Sequence, residues 1–117
     1  MGRLTTHVLD TALGLPAVGL IIDLIRIDSL KTVLVKTETT NGDGRCNAPL
    51  LEGDALVRGR YQLIFHASDY LRAMGNDLPE FAFLDKVIIA FGIDCEDQQY
   101  HVPLLLSAYG YSTYRGS

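Results

Sequence analysis

Runs of like charge are absent from this sequence, and its formal net charge is −4. Binding nucleic acid takes a basic face, so no nucleic-acid partner is expected. Long apolar runs are missing too. Near the N-terminus the longest is Ala17 to Ile22, far short of the roughly 20 residues that a membrane-spanning helix needs. No charged-then-apolar leader opens the chain, because Thr5, His7 and Asp10 interrupt it. These absences point to a cytoplasmic protein with no membrane contact. Cysteine is scarce: Cys46 and Cys95 are the two present, and they form no C-x-x-C metal spacing. A disulfide between them stays open, although two free thiols in a reducing cytosol is the simpler reading. There is no G-x-S-x-G elbow to mark a serine nucleophile, no internal repeat, no low-complexity segment and no βαβ alternation.

What is present is a chain of 117 residues, 48% of them hydrophobic. That argues against disorder and is enough for one core, so residues 1–117 are expected to form a single domain. Period-2 alternation, which sorts side chains onto two faces of a sheet, recurs along its length. Leu4 to Asp10 sets Leu4, Thr6 and Val8 against Thr5, His7 and Leu9. Thr11 to Pro16 reads as a turn. Ala17 to Asp28 is expected to be a strand covered partly on both sides, and Lys31 to Thr39 a third. Asn41-Gly42-Asp43-Gly44-Arg45 is the strongest turn signal, since Asn-Gly and Asp-Gly supply left-handed backbone cheaply. Such a tight turn gives Arg45 a definite bearing.

Cys46 to Leu56 reads as irregular and Arg58 to Ala67 as a strand. Ser68 is the expected N-cap of a helix of about two turns, with Asp69 in its first turn and Gly75 at its stop. In the loop Asn76 to Asp85, Phe81 and Phe83 are expected to tuck under the sheet. Lys86 to Asp94 is another apolar strand. The last stretch, YHVPLLLSAYGYSTYRGS from Tyr100 to Ser117, reads as two strands around a turn, the second running to the final residue. Seven to eight strands with one short helix predict an all-β sandwich.

Chemistry has few places to reside. His66, beside a helix start, reads as a partly exposed sheet histidine. His7 and His101 each sit mid-strand among apolar neighbours, opposite the most apolar side of the strand. Taken singly, either could be a hydrogen-bonded core residue. Together with Arg45 on its turn and Ser117 at the terminus they suggest a site. A neutral imidazole can take a proton from water near neutral pH, and a guanidinium can hold a planar anion in two hydrogen bonds.

Three segments carry a family resemblance: LTTHVLD from Leu4 to Asp10 with GLPA from Gly14 to Ala17, NGDGR from Asn41 to Arg45, and HVPLLLS from His101 to Ser107 through YRGS from Tyr114 to Ser117. In these the chain resembles the transthyretin-related 5-hydroxyisourate hydrolases. The segment Asp28 to Thr40 departs from the usual family text. The resemblance implies a transthyretin-like (prealbumin-like) β-sandwich and a homotetramer, a dimer of dimers whose sites open onto an inter-dimer channel. It implies hydrolysis of 5-hydroxyisourate to 2-oxo-4-hydroxy-4-carboxy-5-ureidoimidazoline in urate catabolism, with no metal or organic cofactor. The family's catalytic residues fall on His7, Arg45, His101 and Ser117, with His7, Arg45 and Tyr114 at the substrate. The alternative of a different class is a transthyretin-like carrier that binds a small aromatic ligand in the channel.

Overall fold

In the computed structural model, which describes residues 1–117, apolar residues at alternate positions turn inward from two facing sheets. The first sheet joins β1 (Arg3–Asp10), β2 (Leu15–Pro16), β8 (Gln99–Ser107) and β9 (Gly110–Thr113) in the order β2-β1-β8-β9, and β5 (Leu51–Glu52) also pairs with β1. The second joins β3 (Ile21–Asp28), β4 (Lys31–Thr39), β6 (Gly59–Phe65) and β7 (Val87–Ile93) in the order β4-β3-β6-β7. A single helix, α1 (Ala67–Ala73), follows β6. The expected all-β sandwich is what forms. Seven strands are of ordinary length, and two more are only two residues long.

The core is made where the inward faces meet. Leu4 and Val8 of β1, Leu104 and Leu106 of β8, Ile22 and Leu24 of β3, and Leu63 and Phe65 of β6 are all fully buried. The outward face of β1 carries Thr5, His7 and Leu9, each half-buried. Every ladder is antiparallel except the one between β1 and β8, which is parallel and sets Thr5 opposite His101 and His7 opposite Pro103. No helix is long and apolar enough to cross a membrane.

Several sequence-based expectations are corrected. The strand expected from Ala17 begins only at Ile21. Gly19 has φ +82°, and Ala17 and Leu20 are buried where the chain crosses between sheets. The strand expected from Arg58 to Ala67 spans only Gly59–Phe65. Ser68 is not the N-cap, because the helix already begins at Ala67, with His66 at the cap position. The Ser68 hydroxyl donates to the Asp85 carboxylate at 2.7 Å instead. Phe81 and Phe83 do not tuck under the sheet: they are 87% and 73% exposed, and the Phe83 ring lies near Tyr109.

The final strand stops at Thr113 rather than Ser117. Proline supplies the reason. β8 and β9 pair Leu104 with Thr113, and an isolated bridge pairs His101 with Gly116, which is the same register continued. Between them Pro103 falls opposite Tyr114. It has no N–H to offer the ladder, so the pairing lapses there and resumes at Gly116, whose N–H donates to the His101 carbonyl at 2.7 Å.

One buried polar junction fastens β1 to α1. The Asp10 carboxylate is 2% exposed. It accepts from the backbone N–H groups of Ala12 and Leu13, each at 3.1 Å, and from the Tyr70 hydroxyl at 2.8 Å. Burial raises the Tyr70 pKa, and the hydrogen bond to Asp10 raises it further. Tyr70→Phe removes one donor from a buried carboxylate. Hydrogen bonds to charged groups contribute about 1.5–3 kcal/mol, so urea unfolding should show a loss of that order with the m-value unchanged. An unaltered midpoint would mean that the junction adds nothing.

Candidate active site

The site is assembled by the turn, by the parallel pair of strands and by the returning C-terminus. In the turn, the Asn41 side-chain carbonyl accepts from the N–H groups of Asp43 at 2.9 Å and Arg45 at 3.2 Å. The Asn41 N–H in turn donates to the Arg45 carbonyl at 2.7 Å. The Gly44 carbonyl accepts from the N–H of Val8 at 2.9 Å, and this fixes the turn against β1. Gly44 has φ +74°, and a Cβ on it would stand 2.5 Å from the Val8 carbonyl oxygen; only glycine fits there. The result is an isolated bridge that pairs Arg45 with His7.

His101 is on the neighbouring strand. The register places it opposite Thr5, two residues from His7 on the same outward face. Its Nδ1 lies 2.8 Å from Thr5 Oγ1. The backbone of Gly116 lies across the other edge of the ring, and a Cβ at 116 would meet His101 Cδ2 at 2.5 Å. Two openings adjoin these groups. A cleft of about 180 Å³ is lined by Arg3, Thr5, Arg45, Cys46 and Asn47. A more apolar cavity of about 290 Å³ is lined by Phe91, Tyr100, His101, Thr113, Tyr114 and Arg115.

Of the residues singled out from the sequence, His7, Arg45 and His101 are therefore gathered, and Tyr114 shares a cavity with His101. Ser117 follows Gly116 directly but is exposed at the chain end. His66 stands apart: its Nε2 donates to the Asp23 carboxylate at 2.8 Å, and Thr37 donates to the same carboxylate at 2.7 Å. Two contributors were missed from the sequence. Thr5 shares its strand face with His7, so the alternation already contained that signal. Arg115 anchors the tail, donating to the Gln98 side chain and the Gln99 carbonyl, each at 3.1 Å, with its guanidinium 4.3 Å from the Tyr100 ring centroid. No sequence spacing announces that contact.

Electrostatics favours neutral imidazoles. Burial lowers the His7 pKa and the Arg45 guanidinium lowers it further, against an opposing pull from the Asp43 backbone and carboxylate. Burial likewise lowers that of His101, aided by Arg45 and His7. A histidine with a depressed folded-state pKa is harder to protonate folded than unfolded. Its contribution to stability is full above the ordinary value of 6.5 and is lost as pH falls below it. In an NMR titration of the ring protons, both residues should titrate below 6.5. Arg45→Gln should move both midpoints upward. Midpoints indifferent to that change would break the electrostatic link between Arg45 and the pair.

Known proteins share this sequence and fold. Residues 4–116 match the model of the HIUase/Transthyretin family. A relative from Rhizobium meliloti, 5-hydroxyisourate hydrolase 2, is 60% identical over 116 residues, covering 99% of this chain and 97% of its own. The solved structure of Klebsiella pneumoniae 5-hydroxyisourate hydrolase superposes with a TM-score of 0.79 at 32% identity, with 100% of both chains covered. The structure of an (S)-allantoin synthase superposes with a TM-score of 0.94 at 42% identity; 99% of this chain spans 44% of that longer one. With that family model and those relatives matched over nearly its whole length, the chain belongs to the HIUase/Transthyretin family.

Proposed function

We propose that this chain is a cyclic amide hydrolase that opens 5-hydroxyisourate to 2-oxo-4-hydroxy-4-carboxy-5-ureidoimidazoline, with residues 1–117 acting as one catalytic domain. The observation that carries this reading is a pair of half-buried histidines, both biased toward the neutral form, coupled to one guanidinium. Relatives named 5-hydroxyisourate hydrolase at 56–60% identity support it. Water attacks the ring carbonyl carbon and a neutral imidazole takes its proton. Negative charge that develops on the carbonyl oxygen is met by Arg45, whose planar fork also suits a flat heterocycle. The C–N bond then breaks, and the imidazolium returns the proton to the leaving nitrogen. Tyr114 covers a face of the heterocycle, and Ser117 supplies a polar edge to the site. No step calls for a metal or an organic cofactor.

Freshly generated 5-hydroxyisourate, followed by its ultraviolet absorbance, tests the reading. Because the compound decays unaided, only decay faster than the buffer blank counts. The protein should accelerate it. His7→Ala and His101→Ala should each lose about 10²–10⁴ in rate, the scale of a lost proton-transfer group or of a lost hydrogen-bond donor to the developing oxyanion. Arg45→Lys should lose heavily as well, since lysine keeps the charge but not the fork. His66→Ala, whose side chain is engaged with Asp23, should turn over like the parent. No acceleration by the parent protein would favour a carrier of a small aromatic ligand instead.

The assembly we propose is a homotetramer, a dimer of dimers with the outward face of the β1–β8 sheet on an inter-dimer channel. Support comes from unpaired edges and apolar exposure. β7 and β9 each end a sheet, and unpaired edges invite another strand. Ile88 near one edge and Tyr109 and Tyr111 near the other are 50%, 66% and 46% exposed, apolar surface that symmetric association would cover. The proposed setting is cytoplasmic, which suits two free cysteines. Light scattering should return four chain masses, and an active monomer would overturn the assembly.

A further inference from the structure

Thr5 joins the two halves of the site through its hydroxyl. It lines the Arg45 cleft, and its hydroxyl is 2.8 Å from Nδ1 of His101, which lines the Tyr114 cavity. The contact is written into the sheet, because the parallel register sets the two residues opposite each other. The ring is held at two edges, by Thr5 at Nδ1 and by Gly116 at Cδ2. Nε2 and Cε1 are therefore the ring atoms left to face a ligand.

A hydroxyl has one proton to give, and a neutral imidazole has one bare nitrogen to receive it. His101 Nδ1 is the hydrogen-bond partner that Thr5 Oγ1 has within reach. Donation from Thr5 occupies the Nδ1 lone pair and leaves the ring proton on Nε2. We propose that Thr5 is a positioning residue that donates to His101 Nδ1 and holds the neutral ring as its Nε2–H tautomer, which makes His101 the hydrogen-bond donor and His7 the base. The neutral state it needs is the one favoured by burial and by the neighbouring Arg45 and His7.

The assignment deepens the hydrolytic reading above and rests on it. The water proton passes to His7 and returns from it to the leaving ring nitrogen, so one water is added across the C–N bond. His101 keeps its proton throughout. Its Nε2–H faces the carbonyl oxygen as that oxygen gains charge, and the positive charge of Arg45 adds to the same stabilisation. A neutral imidazole can stabilise an oxyanion in this way.

The first test needs no substrate, so it stands whether or not the hydrolytic reading does. Long-range 15N–1H NMR of the imidazoles should show a pyridine-type Nδ1 and a pyrrole-type Nε2 at His101. The reverse pattern would overturn the proposal. The second test is Thr5→Val, which keeps the shape and removes the hydroxyl, with circular dichroism to verify the fold. It should mix the two His101 tautomers and lower kcat about tenfold, the scale of one lost hydrogen bond, with little change in KM. It should also displace the acidic limb of the pH–rate profile. Thr5→Ser should restore spectrum and rate together. A folded Val variant with the parental spectrum, or one that loses only KM, would overturn the positioning role. Should the Val variant fail to fold, the parental and Ser spectra decide. A parental protein with the expected tautomer and no hydrolysis would refute the reaction and leave the Thr5–His101 contact standing.

Discussion

Everything at the site hangs on β1 and β8 lying side by side, parallel and in one register. Thr5 and His101 are 96 residues apart in sequence and 2.8 Å apart in space. A slip of one residue would flip every side chain of a strand to the other face. His101 would then turn into the core, and Val102 or Tyr100 would face solvent. One buried contact opposes that slip directly. Thr6, which is 2% exposed, donates from Oγ1 to the Val102 carbonyl at 2.7 Å. Such a bond adds only about 1 kcal/mol net, but stranding the buried hydroxyl costs about 1–3 kcal/mol. Register error is therefore penalised more than register is rewarded, and the penalty applies one residue away from the site.

The same strand explains how the C-terminus comes to be held. Pro103 stops the ladder opposite Tyr114, so the backbone of Tyr114 and Arg115 is released from the sheet without loss of register. The Tyr114 ring is left 62% exposed and free to meet a ligand in the cavity it shares with His101. Gly116 then rejoins opposite His101 with no Cβ, the one residue type that lets the backbone lie against the ring. Arg115, anchored on Tyr100, Gln98 and Gln99, keeps the segment from fraying as termini commonly do. Proline, glycine and arginine here divide the labour of interrupting, approaching and anchoring.

Legibility in the sequence followed the range of the interactions. Alternation is local, so the strands and their faces could be read, as could the Asn41–Arg45 turn with its glycines. The strand ends could not, where a distant residue decides them: β9 ends at Thr113 because of Pro103 on its partner. The helix start was misjudged by two residues, with His66 and not Ser68 at the cap position, since Ser68 has two possible uses, a cap or a bond to Asp85, and only tertiary contact selects between them. Phe81 and Phe83 were expected under the sheet on hydrophobicity alone, yet single exposed hydrophobic side chains are normal on a protein surface. His7, Arg45 and His101 were legible as residues. Their meeting was not, because it depends on the pairing of the first strand with the eighth.

Core and site can therefore be separated by face, though they share the same two strands. Inward, β1 and β8 bury Leu4, Val8, Leu104 and Leu106 with no exposed surface, where losing a side chain would leave a cavity. Outward, they carry Thr5, His7 and His101, which are half-buried and contribute polar geometry in place of packing. The electrostatic bias toward neutral imidazoles opposes acid stability, since each histidine resists a proton it would accept in the unfolded chain. That resistance leaves a basic nitrogen near a permanent cation, a juxtaposition suited to the proposed hydrolysis. The inward face can carry this cost because its apolar burial owes nothing to the charge state of the outward one.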